Sequence, residues 1–205
     1  MTEDHAPGLF TDAVRIAPLP PVEWSAAMPA ALAAIRPANP RHPYPARGGG
    51  RSKGLNALGL LAWHPALTEA FHTFTGHILF GTTLTVRQRE LLILRVAAVR
   101  GAKYEWTQHS VLALDNGIDE AEIARVAVGP AAPGWSRLER ALVSSVDELL
   151  ADAKVQDATW EVLAADFDEQ QLLDLIFTVG AYDLLAMAFR SCGIPLDADL
   201  AGRPE

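Results

Sequence analysis

Residues 85–117 constrain this chain more than any other stretch, because their punctuation leaves few ways to fold. Thr85 is a good N-cap, and Gln88 three positions on completes the pattern of a capping box. The spacing predicts a helix over 86–100 that Gly101 stops, then a second over 103–116 that ends at Gly117. So short a connection makes the two helices antiparallel neighbours, and the first can face the second across their common side.

The remainder reads the same way. Residues 1–23 carry Pro7, Pro18, Pro20 and Pro21 and are expected to form an irregular arm. A first helix is predicted within 24–36, beginning near Pro29, since proline suits a first turn. Residues 37–51 (PANPRHPYPARGGGR) form a long loop, of the kind used either as a lid or as a linker. Helices follow over 53–63 and 65–80, broken at His64-Pro65, because the residue before proline avoids helical geometry. Asp119 caps a short helix running to Val128, and further helices are predicted over 136–151, 158–166 and 169–192. No stretch alternates apolar and polar residues as a strand would, so the class is all-α. The organisation expected is an arm, one short helix and a Pro/Gly-rich loop over 1–51, then a helical domain over 52–205. The segment 172–189 is apolar on most faces, which suits either a core or a subunit interface, and the interface is the expected use of it.

Composition narrows the partners. At 205 residues, 50% hydrophobic and 20% charged, the chain can bury roughly 70% of its extended surface and needs no disulfide or metal to hold a core. A net charge of -8 with scattered Lys and Arg argues against nucleic acid or an anionic membrane as partner. Cys192 is the one cysteine, so no disulfide scaffold is indicated. The N-terminus lacks the basic-then-apolar pattern of a signal peptide, and no run of about 20 apolar residues suggests a membrane span. A cytoplasmic location is the expectation.

Three residues of the helix pair carry candidate chemistry. Glu90 lies among Val86, Ile93, Leu94 and Ala97 at helical spacing, so it points toward the core. A buried carboxylate must be paired or protonated, and either state suits acid–base work. Glu105 and His109 are i and i+4, hence on one face, with the small Ala102 and Ala113 leaving room there for a ligand. Read alone, Glu90 also fits a structural acid paired with an arginine or a helix end, and Glu105/His109 a surface pair. A metal site built from the three lacks the His- or Cys-rich spacing such sites use.

The segment LTVRQRELLILRVAAVRGAKYEWTQHSVLALDNGIDEAEIARV, residues 84–126, resembles the core of the carboxymuconolactone decarboxylase family, which also contains the alkylhydroperoxidase D-like (AhpD-like) proteins. The likeness rests on the L-T-x-R-x-R-E-L start at 84–91, the apolar ILRVA run and the Y-E-W-x-x-H segment at 104–109. The Asn116-Gly117-Ile118 helix stop and the following Glu122-Ile123 also match. The resemblance implies an AhpD-like helical bundle, usually a homo-trimer or hexamer. The peroxidase branch has a C-x-x-C pair with a histidine four residues later. Here Ala102 and Glu105 occupy the two cysteine positions and His109 the histidine, so thiol peroxidase activity lacks its nucleophile and its resolving thiol.

The decarboxylase branch remains. Its named reaction converts γ-carboxymuconolactone to an enol-lactone in aromatic-acid catabolism and calls for no cofactor. By resemblance His109 is the acid/base, with Glu90 and Glu105 orienting it or relaying protons. Tyr104, Trp106, Trp63, His64, His77 and Tyr182 are the candidate substrate-binding residues, and Arg95 a further candidate anion partner. The expectation is thus a cofactor-independent lyase or isomerase acting on a small carboxylated or cyclic substrate. The alternative is a non-catalytic helical oligomer that binds a hydrophobic small molecule.

Overall fold

The computed structural model describes residues 13–44 and 54–200. The first half of the arm, residues 45–53 of the loop with its three glycines, and residues 201–205 lie outside the described residues. Among the described residues every regular element is helical: a single 3₁₀ turn (Pro21–Glu23) at the end of the arm expected to be irregular, then α1 (Met28–Ala33), α2 (Leu55–Leu61), α3 (Pro65–Gly76), a π-helical turn (His77–Gly81), α4 (Val86–Arg100), α5 (Lys103–Asp115), α6 (Glu120–Val128), α7 (Arg137–Asp152), α8 (Asp157–Asp166) and α9 (Glu169–Cys192).

The helix starts follow from local chemistry. Thr85, Asp119, Ser136 and Asp168 each cap a helix, and in every case the residue three positions on (Gln88, Glu122, Glu139, Gln171) reaches back to close a capping box. Each such cap contributes about 1 kcal/mol. Gly101 ends α4 at φ 60°, a left-handed conformation that glycine adopts at least cost, and this permits the turn into α5. The predicted helix over 65–80 instead becomes α3 followed by the π-helical turn, in which one extra residue per turn is accommodated before Thr82.

Helix α4 is the centre of the fold. Leu91, Leu92, Ile93, Leu94 and Val96 are all fully buried, because α4 packs against α9, α5, α7 and α6 on different sides. Leu92, Ile93 and Val96 join Leu142 and Val146 of α7 and Leu175, Val179 and Tyr182 of α9 in one cluster, while Leu91 and Leu94 join Ala113, Ile118, Ile123 and Val126 in another. Each buried leucine or isoleucine contributes about 1.5–3 kcal/mol.

The structure divides the apolar segment 172–189, which the sequence assigns as a whole to an interface. Leu172, Leu175, Val179, Tyr182, Ala186 and Phe189 are buried within this chain, and only Leu173, Phe177, Leu184 and Met187 are more than half exposed or nearly so. Helix α9 is also long and apolar enough to cross a membrane, with a mean hydropathy of 1.7, contrary to the expectation that no such segment exists. Half of that stretch is buried inside the fold. Its acids are tied to neighbouring elements, Asp174 to Thr83 and His77 and Asp183 to Arg100, as befits the core helix of a bundle.

Helix α1 lies across α3. Their approach is close enough that a Cβ on Gly76 would sit 2.6 Å from the Ile35 carbonyl oxygen, which explains a glycine at the end of α3. This contact brings the N-terminal segment over one side of the bundle.

Candidate active site

The antiparallel packing of α4 and α5 brings Glu90 and His109 together. Glu90 is 1% exposed and His109 8%. His109 Nδ1 lies 2.7 Å from Glu90 Oε2, and Arg89 donates from Nη2 to Glu90 Oε1 at 3.0 Å. Arg89 also donates from Nη1 to the Leu79 carbonyl at 2.5 Å, so its guanidinium is anchored to the π-helical turn. Burial by itself pushes the Glu90 carboxyl up, but the His109 imidazole and then the Arg89 guanidinium outweigh it and hold the group below its ordinary value. Glu90 is therefore ionised. It fixes the tautomer with the proton on Nδ1 and leaves His109 Nε2 as the nitrogen able to accept or return a proton. Tyr182 of α9 braces the ring edge-on at 5.0 Å, at an interplanar angle of 88°.

Glu105 is in the opposite condition. It occupies the third position of α5, where four other helices carry the partner of a capping box. The N-cap of α5 is Ala102, which offers no hydroxyl, and the Ala102 N–H already donates to the Ala97 carbonyl. Nothing turns the Glu105 carboxyl back, and it points inward, 3% exposed, with neither oxygen hydrogen-bonded. Burial, followed by the negative charge of Asp183, raises its pKa from 4.5 to about 8. Glu105 is thus a neutral carboxylic acid at neutral pH, within about a decade of ionising, which is the range a general acid uses.

Glu105 and His109 line one cavity of about 230 Å³. Its floor comes from Tyr104, Glu105, Gln108 and His109 of α5 and from Tyr182 of α9, and its sides from apolar residues of α2 and α3 and from Ile35. His72 of α3 also reaches it. Its Nδ1 lies 2.9 Å from the Ala31 carbonyl, and burial holds its pKa below the usual histidine value, so it is neutral. Tyr104 donates to Asp197 Oδ2 at 2.6 Å, which straps the C-terminal segment to the floor. A larger cavity of about 400 Å³, beside the α4–α5 turn, holds Lys103 and Arg190 but neither a carboxylate nor an imidazole. Volume therefore does not locate the chemistry here; convergent titratable groups do.

Of the residues singled out in the sequence, the structure brings Glu90, Glu105, His109, Tyr104 and Tyr182 to this one place. The tautomer of His109 is set by Glu90 on the neighbouring helix, one of the two acids that the resemblance offered for orienting it. The other candidates lie elsewhere. Trp63 is 59% exposed and donates to the Ala17 carbonyl, and His64 caps α3 by accepting from the Leu67 N–H. His77 is bound to Asp174 at 2.6 Å beside the π-helical turn. Trp106 packs among Ala97, Ala102 and Ala186 on the far side of α5. Arg95 forms a two-point pair with Asp147 and donates to the Val126 and Ala127 carbonyls at the end of α6. Ala102 and Ala113 do not line this cavity; they are buried against other helices, where their small size lets backbones approach. Arg89, His72, Gln108 and Asp197 escaped notice. Arg89 alone left a signal, as a charged residue next to Glu90 in a run otherwise destined for the core.

The carboxymuconolactone decarboxylase family model matches residues 65–148, which include α3 to α5 and hence Glu90, Glu105 and His109. No curated protein matches the chain. Several solved structures share the fold. A protein of unknown function from Agrobacterium tumefaciens, described as a candidate antioxidant defence protein AhpD, is 20% identical with a TM-score of 0.63, over 67% of this chain and 95% of its own. An uncharacterised peroxidase-related protein with an AhpD core, from Ralstonia eutropha JMP134, is 19% identical with a TM-score of 0.63, over 71% of this chain and 78% of its own. The debrominase Bmp8 is 12% identical with a TM-score of 0.68, over 90% of this chain and 93% of its own. The stretch that builds the Glu90–His109 pair is that of the carboxymuconolactone decarboxylase family, set in an AhpD-like helical fold.

Proposed function

We propose that this chain is a cofactor-independent lyase or isomerase that moves a proton on a small carboxylated or cyclic substrate. The observation that carries the reading is the placing, against one cavity, of a neutral acid, Glu105, and of an imidazole, His109, held from behind by an ionised acid, Glu90. Glu90 is ionised and holds His109, while Glu105 is neutral and unpartnered. Pairs of titratable groups driven apart by their surroundings are what acid–base catalysis without a cofactor requires. In this scheme His109 Nε2 takes a proton from a substrate carbon, and Glu90 stabilises the imidazolium that forms. Glu105 donates to the oxygen on which negative charge develops. A carboxylate lost as CO₂ would leave the same charge on that oxygen, so decarboxylation and isomerisation draw on the same three groups.

The test is a panel of cyclic carbonyl compounds, γ-carboxymuconolactone among them, incubated in deuterated buffer and followed by ultraviolet absorbance and NMR. Turnover or deuterium uptake by the parent should fall at least a hundredfold, roughly the contribution of one positioned acid–base group, in His109→Ala. If His109→Ala leaves every active substrate unchanged, the scheme is wrong. A panel with no turnover at all would favour a second reading, a non-catalytic oligomer that holds a hydrophobic small molecule, for which the mainly apolar cavity speaks.

Self-association belongs to the same reading. Leu173, Phe177, Leu184 and Met187 stay exposed on α9, and the spacing of 173, 177, 180, 184 and 187 alternates four and three, the repeat of a helix–helix seam. A Cβ on Gly180, in the middle of the stripe, would meet nothing within 4 Å, so a second copy of α9 can approach closely there. A homo-trimer or hexamer in the cytoplasm is the form we propose.

A further inference from the structure

The cavity offers a ligand little charge to bind. No lysine or arginine lines it among the described residues. Arg89, the basic group nearest the pair, is committed to Glu90 and the Leu79 carbonyl. Any positive charge on His109 is balanced by Glu90. Tyr104 and Thr75 already donate, to Asp197 and to the Phe71 carbonyl. A carboxylate ligand brought here would be desolvated with no cation among the described lining residues to pair with, which is costly. One polar demand is unmet: Glu105, nine-tenths buried and more, has no partner for either oxygen. A neutral acid so placed needs an acceptor for its O–H. The volume is about 230 Å³. Benzene fills an apolar cavity of about 150 Å³, so a single substituted ring is the size that fits.

We propose that this cavity takes an uncharged, largely apolar ring compound whose carbonyl or hydroxyl oxygen accepts a hydrogen bond from Glu105, and that it discriminates against carboxylates. The inference takes from the acid–base reading only the location of the site. It narrows the substrate class away from the carboxylated lactone of the family's named reaction.

Acetophenone and benzoate share a ring and differ in charge, which makes them suitable probes. Calorimetric titration of the full chain near neutral pH should show acetophenone binding at least tenfold more tightly than benzoate. Glu105→Leu should lose about tenfold of the acetophenone affinity, while Glu105→Gln, which still donates, should stay within about threefold. Benzoate binding as tightly as acetophenone, or binding of neither, would overturn the proposal. So would a folded Glu105→Leu with undiminished affinity. Should Glu105→Leu fail to fold, the comparison of the two probes on the parent decides alone. Selective acetophenone binding without turnover of any substrate would leave the ligand class standing and retire the acid–base scheme. A benzoate preference with His109-dependent turnover would do the reverse.

Discussion

Replacing Glu105 by glutamine should change how the stability of the fold depends on pH, in a direction opposite to that expected for a paired carboxylate. The parent group has its pKa raised from 4.5 to about 8, by burial first and by Asp183 second. Between those values the folded chain holds a proton that the unfolded chain has released. The stabilisation is full below about pH 4.5 and is lost as pH rises through about 8. At about 1.4 kcal/mol per pH unit the whole loss is about 5 kcal/mol, of which about 3 is gone by pH 7. That is a large part of the 5–15 kcal/mol by which domains are usually stable. The groups that face Glu105 are Asp183 and Tyr182 on α9, His109 on its own helix and His72 across the cavity. These, like the paired Glu122, Glu139 and Asp174 elsewhere, remain in Glu105→Gln and cancel to first order in the comparison. Urea unfolding of parent and variant at intervals from about pH 5 to about pH 9 gives the difference directly. The parent should weaken steadily relative to Glu105→Gln, until the variant leads by up to about 5 kcal/mol. Parallel profiles, or a parent that gains on the variant as pH rises, would refute the claim that Glu105 is buried as a neutral acid.

Two further outcomes are expected. Glu90→Ala strands the buried Arg89 and His109 without their counter-charge and should cost about 3–5 kcal/mol in urea unfolding, with Glu90→Gln costing clearly less; equal costs would mean that packing and not charge sets the loss. Leu184→Glu places a charge in the middle of the exposed α9 stripe and should shift the protein to a smaller species by light scattering; an unchanged mass would move the subunit contact to another face.

The parts of this architecture that could be read from the sequence are those set by residues close together in the chain. Thr85 with Gln88, Asp119 with Glu122, and Gly101 decide helix ends through contacts within a few residues, and α4 and α9 begin and end where that chemistry places them. Glu90 was legible for a related reason, since its i-4, i+3, i+4 and i+7 neighbours are apolar and a helix has one inner side. The walls of the cavity were not, because they come from α2, α3, α5 and α9 and from Ile35, and no local rule says which tryptophan or histidine of those helices turns inward. His64 looked like a site residue and is a helix cap, while His72 two turns later is the imidazole that enters the cavity. The apolar run of α9 hid a division between an inner face that fills the core and an outer stripe. Hydrophobicity on all sides gives no hint of where that line falls.

The turn between α4 and α5 has a bearing on motion. Gly101 and Ala102 are all that separate the helix carrying Glu90 from the helix carrying His109, and α4 is packed on every side. Parting the pair means lifting α5 from the most protected helix of the molecule, an opening that approaches global unfolding in cost. The opposite wall is held by peripheral pieces: the end of α1, the short α2, and a C-terminal segment fastened through Asp197 to Tyr104 and Asn56. The molecule is therefore stiff where protons would be passed and compliant where a ligand would come and go. Amide exchange should register this as slow, cooperative protection along α4 and α5 beside fast, independent opening at the rim.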